Sequence, residues 1–223
     1  MKRKILIVAC HPDDETLGCG GTILRHRADK DQVYWLLATE MTQAAGFSAA
    51  QVAKRDKEIA QVARAYGFTK TFRLGIPAAE VDGVPMKDLT KQIATIMNEV
   101  KPDTVYLPFN FDVHSDHRAI FEAAYSCTKS FRFPFVRKVL MMETLSETDF
   151  AVATKECSFV PNVFVDISRH IAKKLAIMKI YGSEMGKHPF PRNLNNMKAL
   201  AHFRGATAGF RYAETFMLLK EII

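Results

Sequence analysis

The chain has 223 residues, 48% of them hydrophobic and 25% charged, with 11 Gly and 9 Pro, a balance that excludes disorder as the dominant state. At this length a single domain buries roughly 70% of the surface its unfolded chain exposes, so neither a disulfide nor a metal is required merely to fold. The net charge of +7 comes from scattered Lys and Arg without a nucleic-acid motif, which excludes a nucleic-acid partner and leaves two readings: a basic surface that keeps the protein soluble, or an anionic substrate such as a nucleotide sugar or phosphorylated sugar.

Lys4 to Ala9 is a continuous apolar run that ends in His-Pro, the pattern of a buried parallel strand. Thr22 to Ala28 reads as helix and Val33 to Ala38 as a second strand. Ser48 is placed to cap a helix over Ala49 to Tyr66, with Val52, Ile59, Val62 and Ala63 near one face and Gly67 as the stop. Thr71 to Leu74 reads as a short strand, and Met86 to Val100 as a helix with Leu89, Ile93, Ile96 and Met97 as its apolar stripe. Asp103 to Pro108 is a strand, Ser115 to Thr128 a helix, and Val139 to Glu143 a further strand. Val163 to Asp166 reads as strand and Ser168 to Tyr181 as helix. Gly182 to Gly209 is a polar loop and helix suited to wall a pocket, and Tyr212 to Ile223 is open between strand and helix. Alternating strands and helices predict an α/β fold: one Rossmann-like sheet of mostly parallel strands flanked by helices, a single domain over 1–223 with a C-terminal loop and helix extension.

The four cysteines, Cys10, Cys19, Cys127 and Cys157, form no CxxC pair and read as reduced thiols of a cytoplasmic protein. The start, Met1 to Lys4, is basic, and the apolar run behind it is too short for a signal-peptide core. No stretch approaches the ~18 apolar residues of a membrane span.

Two polar clusters follow predicted strands, where ligands of parallel sheets bind. The first is His11-Pro12-Asp13-Asp14-Glu15. Zinc accepts His nitrogen and carboxylate oxygen, and a catalytic zinc keeps an open position beside three protein ligands. His11 and Asp14 are three apart, so a tight turn aims both at one ion. Adjacent Asp13 and Asp14 diverge, which lets one bind metal while the other faces water. The second cluster is His114-Ser115-Asp116-His117. On a helix, His114 and His117 share a face, so one can ligate and the other reach substrate, while Asp116 or a backbone carbonyl fixes a ring tautomer. Taken singly, the first cluster fits a helix start whose dipole favours carboxylates, and the second a solvated helix start. Both follow apolar strands, and as a pair they predict one divalent metal site.

Gly18-Cys19-Gly20-Gly21 lacks the GxGxxG spacing, and carboxylates stand where a pyrophosphate would lie, so close helix–sheet packing is the better reason for those glycines. His26, His170, His188 and His202 have no ligand spacing and read as surface or pocket-wall histidines; His188 and His202, in the segment suited to wall a pocket, are also candidates for substrate contact.

The pair HPDDE and HxDH, with the C-terminal Arg-Gly and Tyr-Ala-Glu, resembles the PIG-L (LmbE-like) zinc-dependent de-N-acetylase family, from Ile5 to about Phe216. The resemblance implies a Rossmann-like fold and removal of an N-acetyl group from an N-acetylglucosamine-type amino sugar or conjugate. It implies His11, Asp14 and His117 as metal ligands, Asp13 as general base, and His114 as oxyanion stabiliser and proton donor. It further implies Arg55 as a substrate-binding residue and a homo-oligomer. Zn²⁺ is the implied ion, and Fe²⁺ or another divalent metal suits the same donors. Arg204, Gly205, Tyr212 and Glu214 match a C-terminal family pattern, for which packing or an oligomer contact is the better reason. Tyr181 to Glu184 stands where many members carry His-x-Ser-Gln. The alternatives are a phosphoesterase-type metal hydrolase and a non-catalytic sugar-binding protein.

Overall fold

A computed structural model describes residues 2–223; Met1 lies outside them. Seven strands form one sheet in the order β3-β2-β1-β4-β5-β7-β6. They span Lys4–Ala9 (β1), Gln32–Glu40 (β2), Lys70–Pro77 (β3), Thr104–Leu107 (β4), Lys138–Met142 (β5), Val163–Asp166 (β6) and Ala213–Glu221 (β7). The first five run parallel, and β7 lies antiparallel between β5 and β6. The open C-terminal stretch is therefore a strand inside the sheet, and the loop and helix before it pack beside the sheet. The helices are Asp14–Ala28 (α1), Ala49–Tyr66 (α2), Met86–Val100 (α3), Ser115–Ser126 (α4), Ile171–Met178 (α5) and Leu194–Thr207 (α6). Among the described residues, no helix is long and apolar enough to cross a membrane.

Both faces of the sheet are covered, which is why β1 is apolar at nearly every position. Ile5, Ile7 and Ala9 join one core with Trp35, Ile59, Val62 and Ile177. Leu6, Val8 and Cys10 join the other with Leu89, Ile93, Ile120 and Ala123. Local signals set the helix ends. Ser48 and Gln51 exchange backbone and side-chain hydrogen bonds in a capping box at the start of α2, and Gly67 ends it at φ 71°. Such a cap contributes about 1 kcal/mol. In α3, Leu89, Ile93, Ile96, Met97 and Val100 are buried at helical spacing, each worth roughly 1.5–3 kcal/mol.

Helix α1 starts eight residues earlier than its sequence suggests, at Asp14 rather than Thr22. Its first half is acidic and glycine-rich, a poor helix former. The helix breaks at Cys19 (φ −146°). Beyond the break, Glu214 of β7 accepts hydrogen bonds from the Gly21 and Thr22 amides at 2.8 and 2.7 Å, so a carboxylate distant in sequence caps the second half. Lys174 of α5 pairs with the same carboxylate at 2.7 Å and donates to the Leu17 carbonyl at 3.0 Å. The glycines here do permit close packing: a Cβ on Gly21 would lie 2.6 Å from Ile167, and one on Gly18 would lie 3.0 Å from Met142.

In the strand order, the chain leaves β1 in one direction towards β2 and β3 and in the other towards β4. Open α/β sheets form their ligand crevice at such a reversal, beyond the strands' carboxyl ends. His11 follows β1 and His117 opens α4 after β4, so the sequence clusters meet there.

Candidate metal centre

The turn after β1 carries the first half of the site. His11 and Pro12 lead into Asp13, which precedes α1 with φ +144°, a region that side chains other than glycine rarely occupy and that tends to mark functional sites. The Asp13 amide donates to Glu15 at 3.2 Å, and the side chain makes no cap bond to the helix. It lines the cavity instead. Glu15 holds that backbone from below. It accepts hydrogen bonds from Thr16 (2.6 Å) and Tyr181 (3.2 Å), and burial pushes its carboxyl up to about 7. Asp14 turns the other way and accepts the Cys10 and His11 amides at 3.0 and 2.7 Å.

His11 Nδ1, Asp14 Oδ2 and His117 Nε2 lie 3.2 to 3.7 Å from one another. Ligand atoms around a tetrahedral zinc, with bonds of ~2.0–2.1 Å, stand about 3.3 Å apart. Each histidine turns its other nitrogen to a carboxylate. His11 Nε2 donates to Asp116 at 3.2 Å, and His117 Nδ1 donates to Asp112 at 2.8 Å. Asp116 is further fixed by the Ala79 and Val81 amides at 2.7 and 3.1 Å, and Asp112 by the Thr148 hydroxyl at 2.7 Å. Carboxylates that orient imidazoles in this way are the usual outer support of metal-binding histidines. Burial alone would raise the carboxyl of Asp14, yet His117 and His11 hold it well below the usual carboxylate range. Four aspartates at 0–4% exposure (Asp13, Asp14, Asp112 and Asp116) call for a compensating cation. The donor set therefore fits a divalent ion. Cys10 Sγ also stands within 4.8 Å of His11 and His117 ring nitrogens, as do His114 and Asp116 ligand atoms around His11. The trio with Asp14 has all three donor atoms within 3.7 Å of one another, and His11 and Asp14 line the cavity.

Asp13 and His114 border the opening. Burial, followed by the Asp14 and Glu184 carboxylates, pushes the Asp13 carboxyl well up. Nδ1 of His114 accepts the Asp116 amide at 3.1 Å, so the neutral ring carries its proton on Nε2. Burial and the adjacent His11 keep His114 below the ordinary histidine range.

The remaining candidates sort clearly. Arg55 lies in the cavity wall at 3% exposure. Its guanidinium is already held by Glu184, by Ser183 at 3.1 Å, by Glu58 at 3.4 Å and by the Pro12 carbonyl at 3.5 Å. Arg204 pairs with Glu143, which also accepts from Thr215 at 2.6 Å. A Cβ on Gly205 would meet the Tyr212 backbone at 2.9 Å. With the helix cap made by Glu214, packing accounts for that C-terminal pattern. His188 and His202 are exposed and stand outside the cavity lining. The cavity, about 260 Å³, takes Glu184 and Arg192 from the segment expected to wall a pocket, Glu40 from the end of β2, and Met41, Phe47, Ala78 and Ala79 from the stretches that follow β2 and β3. Sequence reasoning missed Asp112 and the wall residue Glu147. Asp112 lies in the loop between β4 and α4, five residues before His117, and that spacing was its only signal.

The PIG-L family model, described as GlcNAc-PI de-N-acetylase, matches residues 6–128. Diacetylchitobiose deacetylase of Thermococcus kodakarensis is 25% identical over 221 residues, 95% of this chain and 81% of that protein. Among solved structures, the conserved protein TT1542 from Thermus thermophilus superposes with a TM-score of 0.79 at 25% identity, over 99% of this chain and 96% of that one. GalB of Pseudomonas putida KT2440, a 4-carboxy-2-hydroxymuconate hydratase, shares the fold at a TM-score of 0.77 and 19% identity, over 100% of this chain and 98% of its own. One architecture thus serves different reactions, and function has to be argued from the site.

Proposed function

We infer that this chain, which belongs to the PIG-L (GlcNAc-PI de-N-acetylase) family, is a metal-dependent hydrolase that removes an N-acetyl group from an N-acetylglucosamine-type amino sugar or sugar conjugate. The observation that carries the reading is the compact His11, Asp14 and His117 trio, with His11 and Asp14 lining the same cavity as Asp13 and His114. Diacetylchitobiose deacetylase, similar over 95% of this chain, supports the amino-sugar class.

His11, Asp14 and His117 would hold the ion, with zinc the first choice for two nitrogens and one carboxylate oxygen. A bound zinc supplies Lewis-acid polarisation and lowers the pKa of a water from 15.7 to ~7. Asp13 takes the proton of the attacking water on a carboxylate oxygen. Its backbone, pinned by Glu15, keeps that carboxylate aimed at the cavity rather than at the helix. The Nε2–H of His114 stabilises the negative oxygen that develops on the amide; a preorganised donor of this kind contributes about 3–4 kcal/mol. The amine leaves only when protonated, and Asp13, having collected a proton, or His114 delivers it. The products are acetate and a free amino sugar.

Zinc content and acetate release from N,N'-diacetylchitobiose test the assignment. Asp13→Ala is expected to keep metal and lose activity by at least a hundredfold, and His117→Ala to lose metal. Full activity in metal-loaded Asp13→Ala would remove Asp13 as the base. A stoichiometry near two ions per chain would favour a phosphoesterase-type site instead.

A further inference from the structure

The whole chain is basic, with a net charge of +7, but its cavity is not. Beyond the metal-site residues, the charged wall consists of Glu40, Glu147, Glu184, Arg55 and Arg192. Neither guanidinium is free. Arg55 is held as described above, with Glu184 as its closest partner. Arg192 donates to the Glu184 carbonyl and the Ser146 hydroxyl, both at 3.1 Å, and stands 3.7 Å from each of the Glu147 and Glu184 carboxylates. Glu184 lies between the two arginines and compensates both. Glu40 is paired with Arg73. The cleft that adjoins past Met41 and Arg55 adds one cation, Lys54, which faces Glu58 at 3.8 Å.

A phosphate is captured by forked guanidiniums or amides with donors to spare. Here Arg55 is spent on Glu184, Ser183, Glu58 and the Pro12 carbonyl, and Arg192 donates to the Glu184 carbonyl and the Ser146 hydroxyl with two carboxylates beside it. Carboxylates, which accept hydrogen bonds from hydroxyl and ammonium groups, thus outnumber guanidiniums in the wall. Resting on the amino-sugar deacetylase reading, we propose that the cavity selects uncharged or amine-bearing amino sugars and excludes phosphorylated and nucleotide-linked ones, with Glu184 and Glu147 as the determinants. The basic charge lies elsewhere on the surface and serves solubility. The cavity's size, about 260 Å³, falls below the ~300–1,000 Å³ of pockets that enclose a whole drug-sized ligand. One sugar ring is enclosed, and a second extends into the cleft beside Lys54 and Glu58. A phosphate on the enclosed ring then meets Glu184 and Glu147 at short range, where repulsion is only weakly screened.

The test compares kcat/KM for N-acetylglucosamine, N,N'-diacetylchitobiose, N-acetylglucosamine 6-phosphate and uridine diphosphate N-acetylglucosamine at matched ionic strength. The uncharged sugars are expected to lead the phosphorylated ones by at least tenfold, and Glu184→Gln and Glu147→Gln each to narrow that ratio severalfold. Phosphorylated sugars that equal or exceed the uncharged ones, or a ratio unmoved in both variants, would overturn the proposal. Calorimetric titration of zinc-loaded Asp13→Asn with the same four sugars reads the preference without turnover. An uncharged preference there, with no acetate released by wild type, keeps the selectivity and sinks the deacetylase reading. Equal or tighter binding of the phosphorylated sugars sinks the selectivity itself.

Discussion

Asp112→Ala perturbs the metal site through a residue that never faces the cavity. His117 donates from Nδ1 to Asp112 at 2.8 Å with both side chains fully buried, and the other Asp112 oxygen holds the Thr148 hydroxyl at 2.7 Å. Alanine leaves both donors without a partner in a site with little room for water. Each stranded donor costs about 1–3 kcal/mol. His117 also loses the bond that fixes its tautomer and directs Nε2 towards His11 and Asp14. Outer supports of this type are worth about 10–100-fold in metal affinity, or roughly 1.4–2.8 kcal/mol. Asp112→Asn keeps an oxygen for the imidazole and presents its amide to Thr148, so its loss is expected to stay within about tenfold. The assay is zinc affinity by competition with a chromogenic chelator, with circular dichroism to confirm that each variant is folded. A folded Asp112→Ala that binds zinc within about twofold of wild type would refute both the support role and His117 as a ligand.

Three other outcomes follow from packing and charge. Lys174→Met strands Glu214 as an uncompensated buried carboxylate at the break in α1; denaturant unfolding should show a loss of about 3–5 kcal/mol, and a change below ~1 kcal/mol would mean the pair breaks even. Gly21→Ala drives a methyl into Ile167, 2.6 Å away, and should cost about 1–3 kcal/mol by the same measurement; neutrality would show that α1 can shift. His26 is buried between Asp31 (2.9 Å) and Tyr106 (3.0 Å), and burial holds it below its ordinary value of 6.5. The unfolded chain therefore takes up this proton first as pH falls through that value, and folding loses stability from there towards the lower folded value. Tm of the metal-free protein should fall between pH 7 and pH 5, and less steeply in His26→Gln. Equal slopes would place the sensitivity elsewhere.

The elements that declared themselves did so through short-range patterns. A strand buried on both faces must be apolar throughout, and β1 is read off Lys4 to Ala9 for that reason. Ser48, Gln51 and Gly67 bound α2 because caps act over three or four residues. The first half of α1 gave no such signal, since it is acidic and glycine-rich, Gly18 lies against Met142, and its Leu17 carbonyl is satisfied by Lys174, 157 positions away. Likewise β7 was ambiguous until β5 and β6 stood on either side of it.

By itself, the sequence determined the alternating α/β plan, the pairing of HPDDE with HxDH and the segment after Tyr181 as part of the cavity wall, because spacing along one strand end or one helix turn is a local property. Only the tertiary structure decided that His11 and His117 approach within 3.2 Å, that Asp112 rather than Asp116 supports His117, and that both cavity arginines have carboxylate neighbours. The approach of His11 to His117 depends on the strand order reversing at β1, whose parallel neighbour β4 ends at the same sheet edge and brings residues more than a hundred positions apart to one crevice. Charge totals carry no such information: the field at a point follows the nearest paired groups, and here they oppose the sign of the whole chain.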